Sequence, residues 1–217
     1  MAKNKLQRYE DIKYLDNVIE MDEHNFTEPG VMRGRWSHYF GNDNPIVLEL
    51  ACGKGEYTRE LAKRNADRNY IGIDRKGDRI WKGAVESMES EQDNVRFLRI
   101  HIDHITGYFA PSEVDEIWIT FPDPQMKKER KRLTSPVFID RYRQIMKPGG
   151  IIHLKTDSHV LYEYTSEIIR ELNLEIIRVI PDIYRLDSLP DNLDIRTWYE
   201  NNHLKTGRII RYISFAV

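Results

Sequence analysis

The run Ile46–Leu50 (IVLEL) passes directly into Ala51-Cys-Gly-Lys-Gly55, and no other junction limits the possible folds of this chain so strongly. Five apolar-rich residues are too few for a buried helix and suit a buried strand. The glycine turn then opens a helical pattern over Tyr57–Asn65, with Leu61 and Ala62 facing inward. The alternation recurs. Asn69–Ile73, Val95–Ile100, Glu116–Phe121, Ile151–Lys155, Leu174–Ile180 and Ile209–Val217 read as strands. Asp78–Glu89, Phe138–Met146 and Leu161–Leu172 read as helices, the second ended by Pro148-Gly149-Gly150. Strands alternating with helices predict an α/β fold, a mostly parallel seven-stranded sheet with helices on both faces. No convincing helix separates the last two strands, so the C-terminal strand is expected antiparallel and at a sheet edge. That arrangement suits a monomer or a homodimer. Residues 1–45 lack clean periodicity and close on Gly41-Asn-Asp-Asn-Pro45. They are expected to form an N-terminal arm, partly mobile, ahead of a single domain over 46–217. The connection Pro181–Arg208 is unusually long, and such loops in compact domains are often functional.

At 217 residues the chain can bury a core without disulfide or metal staples. The single cysteine, Cys52, excludes an intramolecular disulfide framework and a cysteine zinc cluster. The seven histidines show no metal-type spacing, so no metal is expected. No apolar run approaches the roughly 18 residues of a membrane span. The opening MAKNKLQRYEDIKYLD has no apolar segment after its lysines. The expected location is therefore the cytoplasm. A net charge of -2 names no partner, but its distribution does. Gln125–Lys147 holds eight basic residues against Glu129 and Asp140, a local net of +6. A basic patch on an otherwise acidic chain suggests a placed polyanion contact.

A glycine turn between the first strand and first helix lies where doubly wound folds bind nucleotides. Gly53 and Gly55 let the backbone approach a ligand, and Asp74, ending the second strand, can accept both hydroxyls of a ribose. The dinucleotide pattern G-x-G-x-x-G is absent, as is the P-loop pattern. Glu49 before the turn is awkward beside a pyrophosphate and suits a cationic ligand. The form E-x-x-C-G-x-G resembles motif I of S-adenosylmethionine-dependent methyltransferases. That resemblance implies a Rossmann-like class I methyltransferase fold, with cofactor contacts from Glu49, Gly53, Gly55, Asp74 and a residue after the third strand. His101 falls at that last position, with Asp103 two residues on; either could reach the adenine.

Phe121-Pro-Asp-Pro124 leaves the fourth strand above the same crevice and enters Gln-Met-Lys-Lys-Glu-Arg-Lys-Arg132. FPDP followed by a basic run resembles the signature of bacterial tRNA (guanine-N7) methyltransferases, the TrmB family. Gln125-Met126 replaces the family's usual aromatic segment, whereas Lys127 and Arg130–Arg132 match. Arg33-Gly-Arg35, Thr156-Asp157, Thr197-Trp-Tyr-Glu200 and Gly207-Arg208 follow in the family's order, with Trp198 in place of a basic residue. The resemblance implies methyl transfer to guanine N7 in the tRNA variable loop, at tRNA position 46. It implies a catalytic Asp123 that contacts both cofactor and base. It also assigns Lys127 and the Arg130–Arg132 run to RNA phosphate, and Asp157, Thr197, Tyr199 and Glu200 to the guanosine pocket.

Guanine N7 carries an in-plane lone pair at neutral pH, so the expected catalysis needs positioning and electrostatics rather than a general base. The base must be flipped out of folded tRNA. Cys52 reads as a small buried residue, not a nucleophile. Three other readings use the same residues: a nicotinamide oxidoreductase, a non-catalytic RNA-binding module, and a methyltransferase for another RNA or atom. Binding of S-adenosylmethionine and turnover on tRNA separate the first two from methyl transfer, and mapping of the methylated nucleoside separates the third.

Overall fold

The computed structural model describes residues 2–20, 30–190 and 192–217. Residues 21–29 of the expected arm lie outside the described residues. Strands β1 (Val18–Glu20), β2 (Ile46–Leu50), β3 (Asn69–Asp74), β4 (Val95–Arg99), β5 (Val114–Thr120), β6 (Met146–Thr156), β7 (Glu175–Ile180) and β8 (Arg211–Ala216) form one sheet. The order across it is β1-β4-β3-β2-β5-β6-β8-β7. All neighbours pair parallel except β8, which is antiparallel to both β6 and β7. Helices α1 (Ala2–Asp11), α2 (Trp36–Phe40), α3 (Glu56–Arg64), α4 (Gly77–Glu89), α5 (Pro136–Arg143), α6 (His159–Glu171) and α7 (Trp198–Lys205) complete the fold.

The central strands β2 and β3 are buried at every residue, as parallel strands covered on both faces are, and Glu49, Asn69 and Asp74 are the charged or amide residues among them. Two clusters fill the faces. One gathers Leu48, Ile71, Leu98, Ile117, Phe138 and Tyr142, the other Tyr57, Leu61, Phe97, Trp118 and Tyr212.

Three expectations need correction. The sheet has eight strands, not seven. β1 spans only three residues, too few to show a period, and its pairing comes from the distant β4 edge. Around it the region before residue 46 is tied down where described. Asn17 donates to Ala84 O at 3.0 Å and Ser87 Oγ at 2.9 Å, Ile12 is fully buried, and Trp36 stacks on Phe109 at 5.2 Å. Second, Pro148-Gly149-Gly150 does not terminate a helix. α5 has already ended at Arg143, and β6 runs through these residues with a register shift opposite Val114–Glu116. Gly149 holds φ +76° there, a turn that glycine permits. Third, β8 is not an edge strand. It fills the space between β6 and β7, leaving β7 at the edge with Ile176, Ile177 and Val179 half exposed. Antiparallel pairing of the last two strands is as expected.

Candidate active site

Chain order reverses at β2 and β5: from β2 the sheet grows through β3 and β4 on one side, and through β5 and β6 on the other. Crevices at such switch points, beyond the carboxyl ends of the strands, are where open α/β sheets bind ligands. A cavity of about 460 Å³ lies there. The Ala51–Lys54 turn, Thr120–Pro124, Asp157-Ser158, Thr197–Tyr199, Arg79, His203 and Arg208 line it.

Its floor is Glu49, almost fully buried. The Thr58 amide donates to its carboxylate at 2.8 Å, the Thr120 hydroxyl donates at 2.6 Å, and the Thr58 hydroxyl also bonds it. None of these partners carries charge, and among the described residues Glu49 has no ion pair. Burial therefore dominates, raising its pKa from the ordinary carboxylate range to about 7. The turn above it is shaped by Asp74, whose carboxylate accepts from Gly53 N at 3.0 Å and Lys76 N at 2.9 Å. The two glycines serve different ends. A Cβ on Gly53 would meet nothing within 4 Å, so that residue opens onto space; one on Gly55 would meet the Phe97 ring at 2.5 Å, so that residue permits packing. Both hold positive φ. Cys52 is buried beside Glu49 and Asp74, and burial pushes its thiol well above the ordinary range, as its non-nucleophilic reading expects.

The opposite wall is the FPDP loop. Phe121 turns sharply out of β5 at φ +47°, a conformation costly for a bulky side chain and held by its surroundings. Its amide donates to Lys155 O at 2.9 Å. Asp123 is exposed at the mouth, and its carboxylate accepts from Gln125 N at 2.9 Å. Arg132 braces the loop from behind: it donates to Pro124 O at 3.1 Å, pairs with Glu129 at 3.0 Å and stacks over Tyr164. At 3% exposure Arg132 is a structural cation and not the phosphate contact expected of it, unlike Lys127, Lys128, Arg130 and Lys131, which are all exposed.

The long connection closes the remaining side. The Thr197 hydroxyl caps α7 by accepting from Glu200 N at 3.2 Å. Trp198 and Tyr199 stand exposed on the rim. Glu200 points away from the cavity, fully buried against Lys155 at 2.8 Å and accepting from the Tyr184 hydroxyl at 2.8 Å. Lys155, also fully buried, further donates to Leu193 O and Ile195 O at 2.9 and 2.8 Å, and burial lowers its pKa. Asp157 lines the cavity beside Arg208, with His203 Nδ1 3.7 Å away.

Of the residues expected from sequence, the cavity lining brings together Glu49, Gly53, Asp123, Asp157, Thr197 and Tyr199. Asp74 and Gly55 shape the turn from outside that lining. His101 is exposed past the end of β4, and Asp103 pairs with Arg141 at 3.3 Å; neither lines the cavity. Lys127 lies on the adjoining exposed surface. Sequence reading missed Lys155, although a lysine at the end of an otherwise apolar strand, Ile-Ile-His-Leu-Lys, is itself a signal of a buried partner. Among the described residues, no cluster of histidine, cysteine and carboxylates could hold a metal, and no helix is long and apolar enough to cross a membrane.

Comparison with known proteins bears on this geometry directly. The family described as "Putative methyltransferase" matches residues 43–211. A tRNA (guanine-N(7)-)-methyltransferase of Bacteroides thetaiotaomicron is 47% identical, covering all of this chain and 87% of its own. The Christiangramia forsetii protein of the same name is 46% identical over the full length of this chain and 99% of its own. The chain belongs to this methyltransferase family. The Bacillus subtilis member is 36% identical over 90% of the chain and 91% of its own length. Solved methyltransferase structures share the fold at much lower identity. The 16S rRNA methyltransferase KamB has a TM-score of 0.66 at 11% identity, covering 85% of this chain and 93% of its own. A SAM-dependent methyltransferase from Aquifex aeolicus has 0.57 at 14%, covering 96% and 97%.

Proposed function

We propose that this protein transfers a methyl group from S-adenosylmethionine to N7 of a guanine in tRNA, with the variable-loop guanine as the target and the cytoplasm as its setting. The observation that carries the reading is the cavity itself. A buried carboxylate without a cationic partner forms its floor, an exposed aspartate stands at its mouth, and a run of exposed cations begins four residues later. The family relationship supports the nucleoside and the atom.

The residues present fit the cofactor. Glu49, facing the cavity with neutral partners only, lacks the countercharge that a sulfonium or amino group would provide. Gly53 leaves open space for a ligand against the backbone. Glu49, Gly53 and the Asp74-shaped turn would hold S-adenosylmethionine, which supplies an electrophilic methyl on sulfur. With the cofactor held there, guanine N7 would take the methyl through its in-plane lone pair as the sulfonium S–C bond breaks and S-adenosylhomocysteine leaves, so no proton has to leave first. Positive charge then grows on the purine ring. Asp123 faces that charge from a loop fixed at both ends, by Phe121 N to Lys155 O and by Arg132 to Pro124 O. Its own carboxylate is oriented by Gln125 N. A preorganised carboxylate of this kind stabilises developing charge without reorganising. Lys127, Lys128, Arg130 and Lys131 present a surface for phosphates, and Asp157, Thr197 and Tyr199 border the space left for the base.

The test is incubation of the purified protein with labelled S-adenosylmethionine and unmodified tRNA transcript, followed by nucleoside mapping. Label is expected in 7-methylguanosine within the variable loop. Label in any other nucleoside, or none, overturns the assignment.

A further inference from the structure

Trp198 is a large aromatic that the fold has gone to some length to expose. Of the four tryptophans, Trp36 and Trp118 are buried, whereas Trp198 is 55% exposed on the rim of the cavity. Its backbone is nonetheless anchored. Its amide donates to Glu56 Oε2 at 2.8 Å, tying α7 to the start of α3 across the mouth. Thr197 caps the helix beneath it, and two residues on Glu200 is locked to Lys155. Tyr199 braces the indole edge-on at 5.2 Å and 86°. An exposed indole on an anchored backbone, braced along one edge, loses less entropy than a free side chain when a flat ring stacks upon it. The Lys54 ammonium stands 5.2 Å from its ring centroid, so the ring accepts a cation, one that a ring stacking on that face would displace.

We infer that Trp198 is the stacking platform for the extruded guanine, holding it at the cavity mouth opposite Asp123. The assignment rests on the proposed methyl transfer to guanine and deepens it. Guanine is neutral before reaction and cationic once N7 carries the methyl group. An indole face attracts a cationic ring more strongly than a neutral one. The stack therefore tightens as the reaction proceeds and contributes to turnover as well as to binding.

The experiment compares Trp198→Leu, which keeps apolar bulk without an aromatic face, with Trp198→Phe, which keeps a smaller face. For Trp198→Leu, kcat/KM for tRNA is expected to fall about 10- to 100-fold, the range for losing one base–aromatic stack. Trp198→Phe is expected to recover most of it, and both variants to bind S-adenosylmethionine as the wild type does. Separately, tryptophan fluorescence of the wild type should be quenched by 7-methylguanosine at lower concentration than by guanosine, and this quench should vanish in Trp198→Phe. The quench needs no turnover, so it tests the stack even if the methylated atom proved to be another. Equal kcat/KM in Trp198→Leu and wild type, a quench that persists in Trp198→Phe, or a loss confined to cofactor affinity would overturn the proposal.

Discussion

On its β2 side the cavity wall consists of strand end and glycine turn, and apart from the bond from Thr120 to Glu49 its polar groups are bonded within about twenty residues of chain. Glu49 meets Thr58, and Asp74 meets Gly53 and Lys76. On its β5 and α7 side the wall consists of loops, and what fixes them is remote in sequence or behind the surface. Lys155 reaches Leu193, Ile195 and Glu200, and Trp198 reaches back to Glu56. The first wall is a rigid continuation of the sheet. The second is a set of exposed groups carried on buried anchors, so changes behind that surface should act as strongly as changes on it.

Breaking an anchor gives the largest expected effect. Lys155→Met leaves Glu200 buried without its cation, a situation that costs about 3–5 kcal/mol. Denaturant unfolding should show a loss of that size, and Lys155→Met/Glu200→Leu should restore much of it. A loss below 1 kcal/mol in the single variant would mean the α7 wall is held by other contacts.

Next comes the exposed group itself. Asp123→Asn keeps a turn-forming side chain, so fold and cofactor affinity should persist. Single-turnover methylation should nevertheless fall about 10²–10³-fold, the scale of one preorganised electrostatic group. Near-wild-type rates would reduce Asp123 to a turn residue.

The rigid wall is sharpened by pH. Glu49 titrates near 7 in the folded protein against an ordinary 4.5, because burial disfavours its charge. The folded state then binds more protons than the unfolded state between these values, so this group's contribution to stability is fully present below 4.5. It falls as pH rises and levels off above 7. A cationic ligand needs the ionised form, so cofactor affinity should rise with pH up to about 7 and then flatten. Between pH 6 and 8 the gain should be roughly tenfold by calorimetry, with proton release at the lower pH. Glu49→Gln should bind more weakly and without this dependence; an equally steep profile in that variant would assign the proton elsewhere.

The smallest effects per residue belong to the exposed cations. Neutralising Lys128, Arg130 and Lys131 should each reduce the log–log salt slope of tRNA binding by roughly 0.7, leaving cofactor binding intact. Arg132, being buried under the loop, should destabilise when replaced rather than alter the slope.

The same contrast explains what could be read from sequence. The β2 wall was legible because its logic is local: an apolar strand, a glycine turn and a carboxylate one strand later sit in a fixed order. FPDP and the basic run were legible as a surface motif, but the run alone gives no sign that Arg132 turns inward while its neighbours stay out. Glu200 was read into the guanosine pocket through the resemblance of Thr197-Trp-Tyr-Glu200 to the family's motif. Capping of α7 by Thr197 instead rotates it beneath the helix, onto Lys155. β1 escaped notice because three residues paired with a strand about eighty positions away leave no periodic trace.

The place of β8 has a consequence for biosynthesis. A ribosome releases β6 and β7 before β8, yet β8 must slot between them. Until it does, the nascent chain carries an unpaired flank on β6, the strand whose end holds Lys155 and Asp157, and a separated β7 rich in isoleucine. Unpaired strand flanks of this sort recruit foreign strands. The reaction cavity and protection from aggregation are thus completed in one late event, and chains stalled short of β8 would be both inactive and prone to association.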